Sequence, residues 1–475
     1  MARVFLINPP SPEPVKTPLL ALCYLASSLR RAGHEVALCE ASAPGSPDVA
    51  GLLERVAAFA PDLVGVHIKT LHVQPAYALA RRLAEAGHRL VAGGPHPTVC
   101  WQEPLAHGFD FVLRGEAEES LVELCDALDG ADSDAAGAGC SALSAIAGLC
   151  YRERGMVRVN PGRDFLRDLD GLADPLAALD LFDPAWYGQS SPVAPAGLLS
   201  SRGCPAACTF CSNNVTGRRF RYRSAAGVAD EARALAALGQ TAFSFFDDSF
   251  AVGHRRVREL ATALAPVRIA WTCTAHPGHL DLPTLRDMKR AGCCGVDIGM
   301  ESGDPGMLLR IGKGVTVERV LEVLAWCREV GLHTVLNLMF GWPDETAAEL
   351  QATLDFMERA APLAGGFNAR GVLVPYPGTE IYDRYHERFG FTSWWLREAP
   401  LAYQSFPSEW SLEEVTRCYA EDAALERNFF QHPPAQLALI KQALRRKTEL
   451  SFASVIALAD RGRLKHQVVP AAGAR

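Results

Sequence analysis

Three closely spaced cysteines are the strongest chemical signal in this sequence. Cys204, Cys208 and Cys211 fall within the stretch SRGCPAACTFCS. Thiolates are the ligands of iron–sulfur clusters, and three of them hold three irons of a [4Fe–4S] cluster while the fourth iron stays open. Four cysteines would close such a site, as they close a structural zinc site. The Cys-x3-Cys-x2-Cys spacing therefore predicts a cluster that can bind a small molecule.

Three other interpretations of this motif stay open at the level of sequence. A structural zinc site needs a fourth ligand, and the following SNNVTGRRFRYRS contains neither Cys nor His. Three reduced core cysteines with chance spacing are the second interpretation. An electron-transfer cluster completed by a distant cysteine, Cys273 or Cys293, is the third.

The elements before this motif predict a first α/β domain over residues 1–130. Short apolar strands such as RVFLIN, EVALCEA and DLVGVHI alternate with amphipathic helices. This alternation predicts a doubly wound parallel sheet, whose ligands bind outside the carboxyl ends of the strands. The loops at those ends begin at Asn8, after Val66, and at Gly93 and Gly94.

A second alternating region, residues 196–400, starts at the cysteine motif. Six strand–helix units without a seventh or eighth predict a partial (β/α)6 barrel of the TIM type. Its active site is expected at the carboxyl ends of the strands. Residues 131–195 are interpreted as a linker that leads into a strand pair around AGLCYRERGMVRVNPG, and residues 401–475 as a helical region. The segments SWWLREAP and NFFQH are expected to close the barrel mouth.

Bulk composition excludes several classes of protein. The 475 residues are 49% hydrophobic and 21% charged, and the net charge of −7 offers no basic footprint for nucleic acid. The N-terminal MARVFLINPPSPEPVK indicates a buried strand and not a signal peptide, and no apolar run is long enough to span a membrane. A cytoplasmic protein with reduced cysteines is expected.

Together these motifs resemble the radical S-adenosylmethionine (SAM) enzymes, in the branch with an N-terminal cobalamin-binding domain. The resemblance covers the chain to about residue 400. It implies that Cys204, Cys208 and Cys211 bind a [4Fe–4S] cluster and that SAM chelates the open iron. It also implies reductive cleavage of SAM to methionine and a 5′-deoxyadenosyl radical, with electrons from an external donor such as flavodoxin or ferredoxin.

The same resemblance implies further residues at the SAM site. Phe210 matches an aromatic near the adenine, and Asp247 and Asp248 in FFDDSF match residues that line the SAM pocket. Glu301 in GMESG matches a polar residue near the ribose, although it can also be read as a helix cap. Asn337 is assigned to the cofactor site as well.

Two motifs at later strand ends can each be interpreted in two ways. GWPDET contains Glu345, for which capping of the helix beginning at Thr346 is the slightly preferred interpretation. PYPGTEIY matches the family's P-x-P-G-T, and there Tyr376 and Glu380 are the candidate catalytic residues. The alternative is that this motif is only a rigid turn. Further candidates on the substrate side are Tyr382 and His276.

The first domain resembles the cobalamin domain of this branch through INPP, GGPHPT and DFVLRGEAEESL. The Asp-x-His-x-x-Gly signature of histidine-ligated cobalamin is absent. Asn8, His67, Gly93 and Gly94 are expected to contact the cofactor, because the open GGP turn lets a macrocycle edge approach the backbone. His67, Lys69 and His72 would either lie under the cobalt or fill its space, and a solvated loop position is the alternative for His72.

Cobalamin-dependent C-methylation of a small secondary-metabolite precursor, as in antibiotic biosynthesis, is the function that this resemblance implies. Radical dehydration of an aminoglycoside-like diol, or radical cyclisation, would follow if the first domain does not bind cobalamin. A cobalamin- or cluster-based sensor is the alternative of another class.

Overall fold

A computed structural model describes residues 1–11, 15, 17–131, 138–187, 197–368, 371–397, 401, 413–414, 417 and 423–460. The chain forms two compact units. The first comprises Met1–Ala196, Ser212–Arg221 and Ser393–Ala402, and the second the remaining residues. Parts of the linker expected at 131–195, residues 132–137 and 188–195, lie outside the described residues.

The first unit is built on a seven-stranded sheet of order β2-β1-β3-β4-β5-β6-β7. The first five strands are parallel, and β6 and β7 add an antiparallel edge. The strands are β1 Arg3–Asn8, β2 Glu35–Glu40, β3 Leu63–His67, β4 Leu90–Gly93, β5 Phe111–Leu113, β6 Leu149–Glu153 and β7 Met156–Val159.

Helices connect the parallel strands of this unit. In chain order they are α1 Leu20–Arg31, α2 Val49–Phe59, α3 Val73–Glu85, α4 Pro95–Val99, α5 Gln102–Ala106, α6 Glu118–Ala131 and α7 Ala138–Ala145. Strand order reverses direction at β1, which has β2 on one side and β3 on the other. In open α/β sheets such a switch point opens a crevice at the carboxyl ends of the strands, here after Asn8 and His67.

The second unit is a six-stranded parallel sheet in sequential order, β8-β11-β12-β13-β14-β15. Sequential order with a helix after most strands is the (β/α)6 arrangement that the sequence predicts, so the predicted fold class is confirmed. The strands of the region are β8 Gly197–Leu198, β9 Ser201–Arg202, β10 Arg221–Tyr222, β11 Ala242–Phe245, β12 Ala270–Ala275, β13 Cys293–Glu301, β14 His333–Leu338 and β15 Gly366–Phe367.

Side-chain caps define the helices of the second unit. Thr316 caps α12 by accepting from the Arg319 amide, and Gly331 ends this helix at φ +74°. Thr346 and Glu349 form a capping box at the start of α13. The helices are α8 Ala225–Ala237, α9 His254–Leu264, α10 Leu282–Arg290, α11 Pro305–Arg310, α12 Val317–Val330, α13 Ala347–Ala360, α14 Glu380–Phe389 and α15 Trp394–Arg397 (α15 belongs to the first unit).

The C-terminal region contains the helices Ala423–Arg427 and Pro434–Asp460. The second of these covers the edge strand β15, where the Phe367 amide donates to Ser451 Oγ at 3.1 Å. Covering a sheet edge in this way protects its unpaired backbone groups. Nowhere in the described residues does a helix combine the length and hydropathy that a bilayer crossing requires.

Candidate active site

The three motif cysteines lie on the loop that follows β9. Each is a reduced cysteine; Cys204 is half-buried, Cys208 buried and Cys211 exposed. The Cys211 amide donates to the Cys208 carbonyl at 3.2 Å, which forms a tight turn between the last two thiols. Burial raises the pKa of the Cys204 and Cys208 thiols, so their deprotonation requires a compensating positive charge such as a metal.

Three backbone contacts fix this loop to the ends of neighbouring strands. The Gly203 amide donates to the Asp248 carboxylate at 2.7 Å, and the Thr209 amide donates to the Ile311 carbonyl at 3.0 Å. Gly312 lies so close that a Cβ there would come within 2.8 Å of the Ala207 carbonyl oxygen. The thiols are therefore held on a rigid frame and not on a free loop.

This donor set fits a cluster with one open iron. Cys273 and Cys293 are buried in the barrel wall, where they hydrogen bond to each other, so neither is presented as a fourth ligand. Within the described residues, only His96, Cys100 and Glu103 bring three donor atoms within 4.8 Å of one another. The motif thiols are thus spread more widely than the ligands of a single ion such as zinc.

Glu301 ends β13 in an unusual backbone conformation, with φ +74° beside a bulge in the β13–β14 pairing. Its carboxylate accepts from Lys313 Nζ at 3.0 Å, and both side chains are buried. A Cβ at Gly299 would lie 2.6 Å from the Glu301 carboxylate and 2.8 Å from Nζ of Lys313. The glycine therefore makes room for the ion pair, and Glu301 is not the helix cap, which Asp304 provides for α11.

The two aspartates of FFDDSF have different environments. Asp247 is buried, and its carboxylate accepts from the Ser200 amide at 2.7 Å, from the hydroxyls of Ser200 and Ser201, and from Arg256. These hydrogen bonds stabilise the barrel wall, and we do not assign Asp247 to the cofactor site. Asp248 is exposed at the strand end and holds the cysteine loop through Gly203.

Phe210 packs edge-on against the buried Trp342, with ring centroids 5.4 Å apart. Trp342 lies in GWPDET, where the Glu345 carboxylate accepts from the Gly341 amide at 3.0 Å. Burial raises the pKa of Glu345 to about 7. Glu345 therefore closes its own turn, and the preferred interpretation of it as a helix cap is wrong because Thr346 and Glu349 fill that role.

The remaining substrate-side candidates are dispersed. Tyr376 is half-buried, whereas Glu380 is exposed in the first turn of α14. His276 donates from Nε2 to the Lys313 carbonyl at 2.8 Å and accepts at Nδ1 from the Gly278 amide, so both nitrogens bind protein. Tyr382 is buried and stacks on His386 with centroids 4.7 Å apart.

Asn337 lies on the interior face of the barrel, next to Gly299 in the strand register. The same face carries Asp297, a residue that the sequence analysis missed. The signal for it is one carboxylate within the otherwise apolar run CCGVDIGM. A charged residue in a buried strand is unusual and points to a functional surface.

At the switch point of the first unit, Asn8 and His67 lie together. Asn8 Nδ2 donates to the buried Glu40 carboxylate. The Oδ1 atom of Asn8 then accepts from His67 Nδ1 at 3.4 Å. Burial raises the pKa of Glu40 to about 7 and lowers that of His67 to about 3. His67 is therefore a neutral imidazole whose Nε2 keeps a free lone pair.

The glycine turn after β4 borders the same edge. Gly94 has φ +110°, and a Cβ there would lie 2.9 Å from His67 Cδ2, whereas a Cβ at Gly93 would meet nothing within 4 Å. This open backbone and a neutral histidine fit the edge of a corrin ring. His72 is buried and shares a 2.8 Å hydrogen bond with Ser11, so the interpretation of His72 as a solvated loop residue is wrong.

A polar network ties α15 to the rest of the first unit. Trp395 Nε1 donates to the Glu103 carboxylate at 2.9 Å, and Glu103 also contacts His96 Nε2 at 3.1 Å. His96 Nδ1 in turn lies 3.2 Å from Thr70 Oγ1. This segment was expected to close the barrel mouth; in the structure it belongs to the first unit, where Trp395 donates to Glu103.

Comparison with known proteins decides the family. The model of the radical SAM superfamily matches residues 198–357, and that of the B12 binding domain matches residues 14–125. An uncharacterized methyltransferase of Pyrococcus horikoshii is 30% identical over 398 residues, which are 80% of this chain and 82% of that protein.

The chain belongs to the radical SAM enzymes that carry a B12-binding domain.

Two further similar proteins agree with this assignment. The bacteriochlorophyllide d C-12(1)-methyltransferase of Chlorobaculum tepidum is 27% identical, over 70% of this chain and 68% of that protein. The radical SAM methyltransferase TsrM of Kitasatospora setae, solved with cobalamin and a [4Fe–4S] cluster bound, superimposes with a TM-score of 0.67. The alignment covers 97% of this chain and all of TsrM at 19% identity, so it shows a shared fold.

Membership of this radical SAM branch makes the chain a methyltransferase-like enzyme with three cofactors: a [4Fe–4S] cluster, SAM and cobalamin. The thiol loop fits the first two, and the glycine-bordered edge of the first unit fits the third. The predicted family and cofactors are thereby confirmed, including the cobalamin that the residues after the third strand, His67, Lys69 and His72, had put in question.

Proposed function

We propose that this enzyme transfers a methyl group to a carbon atom of a small-molecule precursor of a secondary metabolite, through radical chemistry. The observation that carries the proposal is the loop that presents the thiols of Cys204, Cys208 and Cys211, in a chain that also has a B12-binding domain. Cys204, Cys208 and Cys211 would hold the cluster and leave one iron for SAM.

When bound, the cluster and SAM supply a hydrogen-abstracting radical, and cobalamin supplies the methyl carrier. Overall, one C–H bond becomes a C–CH3 bond, and the hydrogen leaves in 5′-deoxyadenosine. Two SAM molecules are converted, one to S-adenosylhomocysteine and one to methionine and 5′-deoxyadenosine. Two electrons are required, which we assign to an external donor such as flavodoxin or ferredoxin.

The chain's own residues orient these groups. Asp248 and Ile311 hold the thiol loop in place, and Phe210 offers an aromatic face beside it. The Glu301 carboxylate, neutralised by Lys313, is positioned to accept hydrogen bonds from ribose hydroxyls without a net charge. In the first unit, Asn8, His67, Gly93 and Gly94 would border the corrin.

Labelled SAM tests this proposal. The reconstituted enzyme, with and without added hydroxocobalamin, is incubated anaerobically with CD3-labelled SAM, a reductant and a metabolite extract of the native host. We expect a CD3 group in a product that forms only when cobalamin is bound. A cobalamin-independent product without label would contradict methylation and favour dehydration or cyclisation.

A further inference from the structure

The barrel interior has a distinct polar face. Ser244, Thr272 and Thr274 lie on one face of the sheet and are half-buried or exposed. Their neighbours along the strands, such as Phe243 and Cys273, lie on the opposite face and are buried. Because side chains alternate across a strand, the first set lines the interior and the second packs under the helices. Substrates of such barrels bind on the interior face near the strand ends.

Asp297 is the carboxylate in the middle of this face. It pairs in register with Thr274 on β12 and Val335 on β14, and it is exposed although it belongs to a central strand. Among the described residues no hydrogen bond or ion pair reaches its carboxylate. Burial raises the pKa of Asp297, and no neighbouring cation lowers it.

The surroundings of Asp297 leave its carboxylate exposed. Gly295 and Gly299 lie two residues before and after it on the same face of β13; a Cβ at Gly299 would lie 2.8 Å from Lys313 Nζ, and a Cβ at Gly295 would lie 3.3 Å from Thr272 Cγ2. Thr274 on β12 is the hydroxyl residue in register beside Asp297, whereas Ser244 Oγ and Thr272 Oγ1 bind each other at 2.8 Å. The exposed carboxylate, with Thr274 beside it, is therefore available to a ligand.

Two cations of the second unit that lie near the strand ends already have partners. Lys313 is paired with Glu301 at 3.0 Å, and Lys447 of the C-terminal helix contacts Asn368 Oδ1 at 3.3 Å. Within the part of the chain that the structure describes, the interior face thus presents the negative charge of Asp297 without a protein counter-ion. A half-enclosed charge of this kind favours a ligand group of opposite sign.

Binding of SAM does not explain the position of the Asp297 carboxylate. A bulge between Gly299 and Glu301 takes up one residue of β13, so Asp297 lies about 10 Å deeper along the strand than the end where SAM is expected. The thiol loop and Glu301 lie at that end, and the Lys313 ammonium reaches back as far as Gly299. The position of Asp297 is therefore one for the substrate and not for the cofactor.

We propose that the Asp297 carboxylate binds a protonated nitrogen of the substrate, so that the methyl acceptor is an amine- or guanidine-bearing small molecule. This inference rests on the proposed methyltransferase function. It makes Asp297 a residue that determines specificity, separate from the groups that hold the cofactors.

The test compares Asp297→Asn with Asp230→Asn, the same change at a 66% exposed position on α8. Both full-length variants and the wild type are loaded with cluster and cobalamin and supplied with CD3-labelled SAM. Host metabolites, fractionated on a cation exchanger at neutral pH, serve as acceptors. We expect the label in the retained, cationic fraction. For Asp297→Asn we expect a rise of roughly ten- to hundredfold in the apparent KM for that fraction, since a hydrogen bond to a charged group is lost.

Binding of SAM and cluster content should be unchanged in Asp297→Asn and in Asp230→Asn. Label in a neutral or anionic product, or a wild-type KM in Asp297→Asn, would overturn the inference while the methyltransferase function stands. Loss of SAM binding in Asp297→Asn would also overturn it, since the carboxylate would then serve the cofactor. Absence of any 5′-deoxyadenosine from the wild type would overturn both proposals.

Discussion

At the scale of single residues, three buried carboxylates of the second unit are stabilised in different ways. Asp247 accepts four protein hydrogen bonds, and Glu301 is paired with Lys313. Glu345 accepts only from backbone amides of its own turn. Burying a carboxylate with so little compensation favours its protonated form, which makes Glu345 a source of pH-dependent stability.

The sign of this dependence follows from the pKa of Glu345, which rises from 4.5 to about 7 on folding. Between these values the unfolded chain has lost a proton that the folded chain keeps. The free energy of unfolding therefore falls as the pH rises, by about 3 kcal/mol across the window. In Glu345→Gln this loss should be absent because glutamine does not titrate, and its amide oxygen can still accept from the Gly341 amide, so the turn is kept.

Melting midpoints at pH 5 and pH 8 check this prediction. The matched control is Glu322→Gln, which alters a glutamate that is 51% exposed on α12. We expect a smaller drop in midpoint for Glu345→Gln than for the wild type and the control. Equal drops in all three proteins would mean that Glu345 is ionised in the folded state throughout.

At the scale of elements, the segment between α11 and α12 supports the cysteine loop. Ile311 accepts from the Thr209 amide, and Gly312 packs against the Ala207 carbonyl. Both contacts come from residues more than one hundred positions away along the chain. The shape of the cysteine loop therefore depends on the segment between α11 and α12, and substitutions in that segment should affect cluster binding.

Substitutions at two glycines of this segment distinguish the effect of a steric contact from the effect of backbone strain. Gly312 and Gly314 have nearly the same φ, +66° and +67°, but only Gly312 has an atom within 3 Å of an added Cβ. Each alanine variant should lose about 1–2 kcal/mol through its left-handed backbone. Gly312→Ala should additionally displace Ala207 and Cys208 and lose most of the cluster, whereas Gly314→Ala should keep it.

Iron and sulfide per chain after anaerobic reconstitution provide the measurement for this pair. Equal cluster content in Gly312→Ala and Gly314→Ala would show that the contact with Ala207 does not position the thiols.

Sequence patterns predicted where the strands lie better than they predicted which groups surround each side chain. Alternation of apolar strands and amphipathic helices is a local signal, so the fold class of both units followed from it. Which face a side chain occupies is not local, and Asp247 and Asp248 show the difference, because one braces the wall and its neighbour holds the loop. The unpaired state of Asp297 depends on the flanking strands β12 and β14, which come before and after it in the chain, and no spacing rule reveals it.

At the scale of the whole molecule, the chain returns to its first unit after the barrel. Trp395 donates to Glu103, 292 residues earlier, and the segment Ser393–Ala402 belongs to the first unit. Such a contact cannot be predicted from composition or periodicity, which explains why this segment was assigned to the barrel mouth. The two units are therefore joined by more than one passage of the chain.

The central claim, that the three-thiol loop supports reductive SAM cleavage, is tested most directly by 5′-deoxyadenosine formation. The full-length protein and its Cys204→Ala, Cys208→Ala, Cys211→Ala and Cys294→Ala variants are reconstituted anaerobically and given SAM and a reductant. Cys294 is a half-buried thiol outside the motif and serves as the matched control. We predict 5′-deoxyadenosine from the wild type and Cys294→Ala, and none from the other three. Normal cleavage by any of those three, or none by the wild type, would contradict the account.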